Sequence, residues 1–238
     1  MPASVSIRLA IPLQHAPLTT SSQGPNPWKV AIILNELGLD YETKLMDFPD
    51  LKKAPFEKLN PNGRVPALED PNTGLTLWES GAIIEYLLET YDAGNKSGLQ
   101  YTEGAGKWEQ RCWAEFQMSG QGPYFGQRAW FVLYAPEKIE LCLDRYGAEI
   151  RRVFSIIDAH LSAQKRPYLC GEQLSYADLM FVPWHWLLFN KPFLMGEEFA
   201  AEAEKAYPAF WAWDQRMQGR ESVKTAKEGR TKAMSGGH

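Results

Sequence analysis

The chain has 238 residues, 45% hydrophobic and 23% charged, with a net charge of −4 and an isoelectric point of about 5.7. That length suits one large domain or two smaller ones with buried cores, and the acidity gives no general attraction to nucleic acid or to an anionic membrane. No apolar run approaches the ~18 residues of a membrane span. The three widely spaced cysteines, Cys112, Cys142 and Cys170, make neither a disulfide framework nor a CxxC pair, so a cytoplasmic location and three small buried hydrophobes are expected.

Residues 5–11 alternate Val5, Ile7, Leu9 and Ile11 around Arg8, a strand pattern rather than a signal-peptide core. A loose run, APLTTSSQGP, follows. Then Asn26 stands as a candidate N-cap and Pro27 as the first helical residue, where its missing N–H costs nothing. Val30, Ile33, Leu34 and Leu37 form one apolar helix face, and Gly38 supplies the stop. Residues 41–47 read as a second strand, and 49–64 as a loop. Residues 65–70 and 75–79 read as a hairpin across the turn-rich PNTG. Ser80 is expected to cap a helix over 81–92 whose face is Ile84, Leu87, Leu88 and Tyr91.

The Gly-rich stretch 92–106 reads as a linker, and everything beyond it as helical. Helices are expected over 107–120, 136–164, from Ser175, and over 208–218. Seven of the nine Trp lie beyond residue 104. Ser175 and Asp178 have capping-box spacing and are read as structural. Residues 220–232 hold five Lys/Arg and two Glu, and are expected to be a solvated, frayed tail. The order is βαβ, then ββα, then all-α: a small α/β domain joined to a larger helical one.

Two stretches carry candidate chemistry. In NPNGRVPAL (60–68), Pro66 opens a strand, so the strand edge could offer the N–H and C=O of Val65 to a peptide-like ligand. In LWESGAII (77–84), a helix N-terminus with the Ser80 hydroxyl suits a ligand carboxylate, and Glu79 suits a ligand ammonium. Together they would clasp a free amino-acid head. His15, His160, His185 and His238 lack metal-ligand spacing, and no P-loop, Rossmann glycine fingerprint or GxSxG elbow is present.

The combination of that element order, the RVP strand entry, the WES helix start and an all-α second half resembles the glutathione transferase family. PNPWKVAIILNELGLDYE, NPNGRVPALED, LWESGAIIEYLLETYD and FQMSGQGPYFGQ are similar to its fungal Ure2-like group, without the Asn/Gln-rich extension of the group's namesake. The resemblance implies a thioredoxin-like, glutathione-binding domain over 1–91, a linker over 92–106 and a helical second-substrate domain over 107–220. The basic tail would occupy 221–238.

It further implies that Val65 pairs with the cysteinyl unit of glutathione, that Glu79 and Ser80 hold the γ-glutamyl head, and that Arg64 with Lys52 or Lys53 lies near the glycine carboxylate. Asn26 falls where the group carries an Asn facing the sulfur. The chain departs from the group in having Pro27 after that Asn, where Gly is usual, and in a longer loop from Pro12 to Pro25. Thr20, Ser21 or Ser22 could then supply a hydroxyl to the sulfur instead.

Trp113, Phe116, Gln117, Tyr124, Gln127 and Trp130 lie on or just after the first helix of the helical half, which in the family faces the second substrate. Tyr124 and Gln127, in a Gly/Pro-broken stretch, are the favoured contacts. The implied activity is transfer of glutathione to an electrophilic, bulky apolar small molecule, by a homodimer with no nucleic-acid or membrane partner. A glutathione-assisted cis–trans isomerase of a conjugated alkene, peroxide or disulfide cleavage, and a non-catalytic glutathione-binding regulator remain as alternatives.

Overall fold

The computed structural model describes residues 6–13 and 24–235. The chain forms two compact units, one of residues up to Ser97 together with those from Glu221 onward, the other of Gly98–Arg220.

The first unit is built on a four-stranded sheet in the order β2-β1-β3-β4. The strands are β1 (Ile7–Leu13), β2 (Tyr41–Asp47), β3 (Ala67–Asp70) and β4 (Leu75–Trp78). β1 and β2 run parallel, from Ile7 opposite Tyr41 to Leu13 opposite Asp47. β3 is antiparallel to both neighbours, with Leu9 opposite Leu68 and Ala67 opposite Trp78. Three helices complete this part of the chain: α1 (Asn26–Glu36), the short α2 (Phe56–Leu59) and α3 (Ser80–Tyr91). The expected strand at 5–11 is thus displaced to Ile7–Leu13, Val5 lying outside the described residues.

Helix α1 stops as its sequence requires. Gly38 sits at φ +62°, its N–H reaching the Asn35 carbonyl while the Leu39 N–H reaches Leu34. These are the two bonds of a Schellman turn, and the left-handed residue between them favours glycine. The expected apolar face holds at Val30, Ile33 and Leu34, with Leu37 half-buried. Trp28, Lys29, Ala31 and Ile32 are buried as well, so the helix is enclosed on more than one side.

The extra cover comes from the segment expected to fray. Residues 221–234 form a helix, α10 (Glu221–Met234), with Val223, Ala226, Arg230 and Ala233 buried. It packs on α1. The Trp28 ring lies where a Cβ on Gly229 would come within 3.4 Å, and Asn35 donates to the Ser222 carbonyl at 3.0 Å. Fully burying an apolar side chain such as Ile32 contributes roughly 1.5–3 kcal/mol.

The hairpin turn is organised by Asp70, which is buried. Its carboxylate accepts from the Asn72 N–H at 2.9 Å, the Tyr86 hydroxyl at 2.6 Å and the Tyr91 hydroxyl at 2.5 Å. Burial works against the charged form, but these donors outweigh it and hold the pKa below the usual carboxylate value. Tyr91 therefore serves as a hydroxyl donor with a half-buried ring, while Ile83 joins Ile84, Leu87 and Leu88 on the apolar face of α3.

The stretch expected as a linker divides between the units. Asp92 accepts from the Ser97 N–H at 3.1 Å, folding 92–97 onto the first unit. Leu99 is buried in the second, its carbonyl accepting from the Tyr176 N–H at 2.9 Å. Gln110 and the Tyr101 backbone exchange two bonds of 2.9 Å.

The second unit is helical: α4 (Gly104–Phe116), α5 (Gly122–Leu133), α6 (Glu140–Gln164), α7 (Tyr176–Phe189), α8 (Phe199–Ala206) and α9 (Pro208–Gln218). The long helix expected from residue 136 begins at Glu140. The stretch around Gly120 and Gly122, expected to break the helix, instead passes through one π turn (Gln117–Gln121) and continues as α5. A buried polar chain runs through this turn. Gln117 Nε2 donates to Gln121 Oε1 at 2.9 Å, Gln121 Nε2 meets His185 Nε2 at 2.9 Å, and His185 Nδ1 meets Asp214 Oδ1 at 2.7 Å. An acceptor role for His185 Nε2 puts the ring proton on Nδ1, facing Asp214.

Candidate functional site

Strand register decides which residues meet. Leu13 and Asp47 end β1 and β2, Ala67 begins β3, and Trp78 ends β4; the pairings put all four at one end of the sheet. A helix that follows a strand in a βαβ unit starts at that strand's C-terminal end, so Asn26 is at the same end, as is Ser80 directly after β4. The loops carrying Lys52, Lys53, Arg64 and Val65 leave β2 and enter β3 there too. The seven residues expected to touch glutathione are therefore gathered at one end of the sheet. Thr20, Ser21 and Ser22 lie outside the described residues.

The loop between β2 and β3 is a built structure. It folds as a 3₁₀ turn (Phe48–Lys52) followed by α2. Leu51 and Phe56 are buried against Ala10 and Ala67, with Val65 packed on the same cluster. Buried Asn60 shapes the next turn. Its amide donates to the Arg64 carbonyl at 2.5 Å, and its oxygen accepts from the Asn62 N–H at 2.9 Å. Gly63, at φ +59°, closes the turn. A Cβ there would meet the Leu51 carbonyl at 2.7 Å, so glycine is required.

The result delivers Val65 with its side chain anchored, its bond to Pro66 cis, and its backbone two residues ahead of β3. Arg64 is exposed beside it. Lys52 donates to the Asn62 carbonyl at 2.7 Å, while Lys53 is paired with Asp50 at 3.1 Å. Sequence reading passed over Asn60 and Gly63, although the NPNG turn signal contains both.

Two helix starts differ from expectation by one residue. Helix α1 begins at Asn26 itself, with Pro25 in the capping position, and α3 begins at Ser80, with Glu79 in the capping position. Neither Asn26 nor Ser80 is the N-cap. Both occupy the first helical position, where backbone N–H groups point out of the helix and the dipole favours an anion. Asn26 is half-buried and Ser80 is buried. Glu79 is exposed and sits at φ +67°, ψ +118°, a conformation uncommon outside glycine. Such strain is held at functional sites when the surroundings impose it.

In the helical unit the expected contacts separate. Gln117 is enclosed in the polar chain described above. Trp113 is 9% exposed, its ring centroid 4.7 Å from that of His160 and 5.8 Å from that of Phe116. Both belong to the core, a correction to their expected place on a substrate-facing surface. Phe116 and Tyr124 are half-buried, the latter under the Arg145 guanidinium at 5.9 Å. Gln127 and Trp130 are exposed. Tyr124 and Gln127, expected in a broken stretch, ride on the continuous helix α5, as does Trp130.

Only Cys170 of the three cysteines is buried, and none is in a disulfide. Burial, reinforced by the charge of Asp178, pushes its thiol up to about 12. Among the described residues no helix is long and apolar enough to cross a membrane, and no group of three or more His, Cys, Asp or Glu could hold a metal.

Comparison with known proteins agrees with this architecture. Residues 24–90 match the glutathione S-transferase N-terminal domain, and residues 122–221 match its C-terminal domain. The chain is 44% identical over 213 residues to the glutathione S-transferase-like protein OpS6 of Beauveria bassiana, covering 89% of this chain and 94% of that protein. It is 38% identical over 232 residues to glutathione S-transferase 2 of Schizosaccharomyces pombe, covering 93% and 98%. Among solved structures, glutathione transferase URE2P6 of Phanerochaete chrysosporium, crystallised with oxidized glutathione, superposes with a TM-score of 0.82 at 36% identity, covering 96% of this chain and 97% of that one. The chain therefore belongs to the glutathione S-transferase family, in its Ure2-like group.

Proposed function

We propose that this protein is a glutathione transferase that binds glutathione at the sheet end described above and uses its thiolate against an electrophilic, apolar small molecule. The observation that carries the reading is the convergence there of two helix starts, Asn26 and Ser80, with the Val65 backbone and the Glu79 carboxylate. A γ-glutamyl head bears one ammonium and one carboxylate. Glu79 matches the first; the Ser80 hydroxyl and the first-turn N–H groups of α3 match the second. Val65 pairs with the peptide-like middle of the ligand, and Arg64 with Lys52 or Lys53 attracts its glycine carboxylate.

Glutathione would supply the thiol, since Cys112, Cys142 and Cys170 all belong to the second unit and the glutathione site is built from the first. A thiol pKa near ~8.5 falls at a helix N-terminus. The Asn26 amide donates to sulfur and favours the thiolate by about 1.5–3 kcal/mol. The thiolate then forms a carbon–sulfur bond as the leaving group departs with its electron pair. Phe116, Tyr124, Gln127 and Trp130 remain the proposed second-substrate contacts, the protein acting as a cytoplasmic homodimer.

Calorimetric titration with reduced glutathione tests the first half of this reading. Micromolar to low-millimolar binding is expected, and Ser80→Ala should weaken it about tenfold or more. Unchanged affinity in that variant would remove the head clasp. Asn26→Ala should keep glutathione affinity within about threefold while lowering the rate roughly 10- to 100-fold, measured on whichever electrophile a screen of halonitroarenes and conjugated alkenes identifies. An unchanged rate would assign the sulfur contact elsewhere.

A further inference from the structure

The sheet order β2-β1-β3-β4 leaves one side of β2 without a neighbouring strand among the described residues. Backbone N–H and C=O groups along such a side are a template for another strand. Glu42, Thr43 and Lys44 are exposed there, and Tyr41 and Leu45 are half-buried. A groove of about 930 Å³ touches all five of these consecutive residues, so it follows the free side of the strand rather than one face of the sheet. Trp28 on α1 and Gly229 and Ala233 on α10 also line it. The side chains alternate. Tyr41, Thr43 and Leu45 share one face with Ile7 and Leu9, while Glu42 and Lys44 share the other with Arg8 and Ala10.

The strand that fits this edge is a second copy of β2. A two-fold axis normal to a sheet pairs one residue of an antiparallel edge with itself. Centred on Thr43, the pairing sets Glu42 against the second copy's Lys44, and Lys44 against its Glu42. On the other face it sets Tyr41 against Leu45, an apolar pair. Centred on Glu42 or on Lys44, it would set like charges opposite each other. An edge lysine ordinarily deters pairing; here the glutamate two residues away answers it. The Thr43 register also extends a row of alternating charge already in the sheet. Glu69 lies opposite Arg8, and Arg8 lies 3.8 Å from Glu42; the second copy's Lys44 comes next. We propose that β2 is a self-association edge, joining two copies of the chain into one continuous sheet by antiparallel pairing of residues 41–45 about Thr43. Five paired residues make a contact well below standard interface size, so the assembly is weak and depends on concentration.

The test is sedimentation equilibrium of the full chain from ~5 to ~500 µM, a range that brackets weak association. The mass is expected to double across it, counted from the species at the lowest concentration, whether monomer or homodimer. Glu42→Lys and Lys44→Glu each place like charges opposite, and each should weaken the doubling about tenfold or more. Both substitutions in one chain restore opposite charges, as does an equal mixture of the two single variants. Association should return in both samples, and its return on mixing excludes misfolding as the cause of either loss. A wild-type mass that stays constant, a doubling that survives either single substitution, or no recovery in the exchanged and mixed samples would each overturn the proposal. None of these residues belongs to the glutathione clasp, so failure of the glutathione reading would leave this one standing, and the reverse.

Discussion

Asp178→Ala is expected to cost at least ~4 kcal/mol of stability, a large share of the 5–15 kcal/mol typical of a folded domain. Asp178 is fully buried at the start of α7. Its Oδ1 accepts from the Leu169 N–H at 2.8 Å and the Trp213 Nε1–H at 2.9 Å. Its Oδ2 accepts from the Ser175 N–H at 2.9 Å and the Ser175 hydroxyl at 2.8 Å. With four donors on two oxygens, the group acts as an acceptor throughout. Alanine leaves these donors buried without partners, and each such group costs about 1–3 kcal/mol, not additively.

Asp178→Asn separates the charge from the acceptors. One oxygen is retained for Leu169 and Trp213, but an NH2 faces the two Ser175 donors, so an intermediate loss is expected. Urea unfolding followed by tryptophan fluorescence checks the order wild type, Asn, Ala. A loss under ~1 kcal/mol for Ala would show that Ser175 and Trp213 find other acceptors, and that the capping box does not hold α7 in place.

That capping box was legible from spacing alone, as were the Gly38 stop and the hairpin across residues 71–74. In each, the residues that fix the geometry are neighbours in sequence. Helix α10 was not legible for the opposite reason. Its buried positions, Ser222, Val223, Ala226, Arg230 and Ala233, have helical spacing but little apolar bulk. The bulk sits on the partner helix as Trp28, and α10 contributes the space at Gly229. A hollow leaves almost no mark in a hydropathy pattern. The π turn escaped notice similarly, because the partners of Gln121 and Gln117 include His185, 64 residues beyond Gln121.

The candidate site was readable as residue types and misread in orientation. The strand order that gathers Asn26, Val65, Glu79 and Ser80 follows from the βαβ-ββα pattern, so their grouping could be expected. Their exact helical positions could not, because Asn and Ser are frequent both at the cap and inside the first turn. Trp113 and Gln117 were misplaced because periodicity puts residues on a common face without saying what that face meets. Lys29 was passed over because a lysine between apolar residues reads as the wet side of an amphipathic helix. Only the packing of α3 and α10 against α1 shows that this helix has little wet side.

The burial of Lys29 makes the stability of the fold depend on pH. A lysine pKa lowered from 10.5 to about 7 means that the unfolded chain holds a proton the folded chain has lost at every pH between those values. The unfolded state then binds more protons, so this group makes stability rise with pH across that window, by up to ~1.4 kcal/mol per unit. Below pH 7 both states are charged and the folded protein carries the whole cost of the buried ammonium, about 5 kcal/mol at most.

Lys29→Met removes that cost while keeping most of the side-chain volume, and replacing buried charge with apolar groups of similar size stabilises proteins by roughly 1–4 kcal/mol. The variant should therefore be more stable than wild type by ~2 kcal/mol or more at pH 6, and the gain should shrink steadily toward pH 10. Urea midpoints of both proteins measured in parallel isolate the effect, since every other titrating group is common to the pair. A gain independent of pH would mean that Lys29 keeps its proton in the folded protein across the range, as it does in the unfolded chain. A loss of stability at pH 6 would mean that its attraction to Glu79 exceeds the desolvation it suffers.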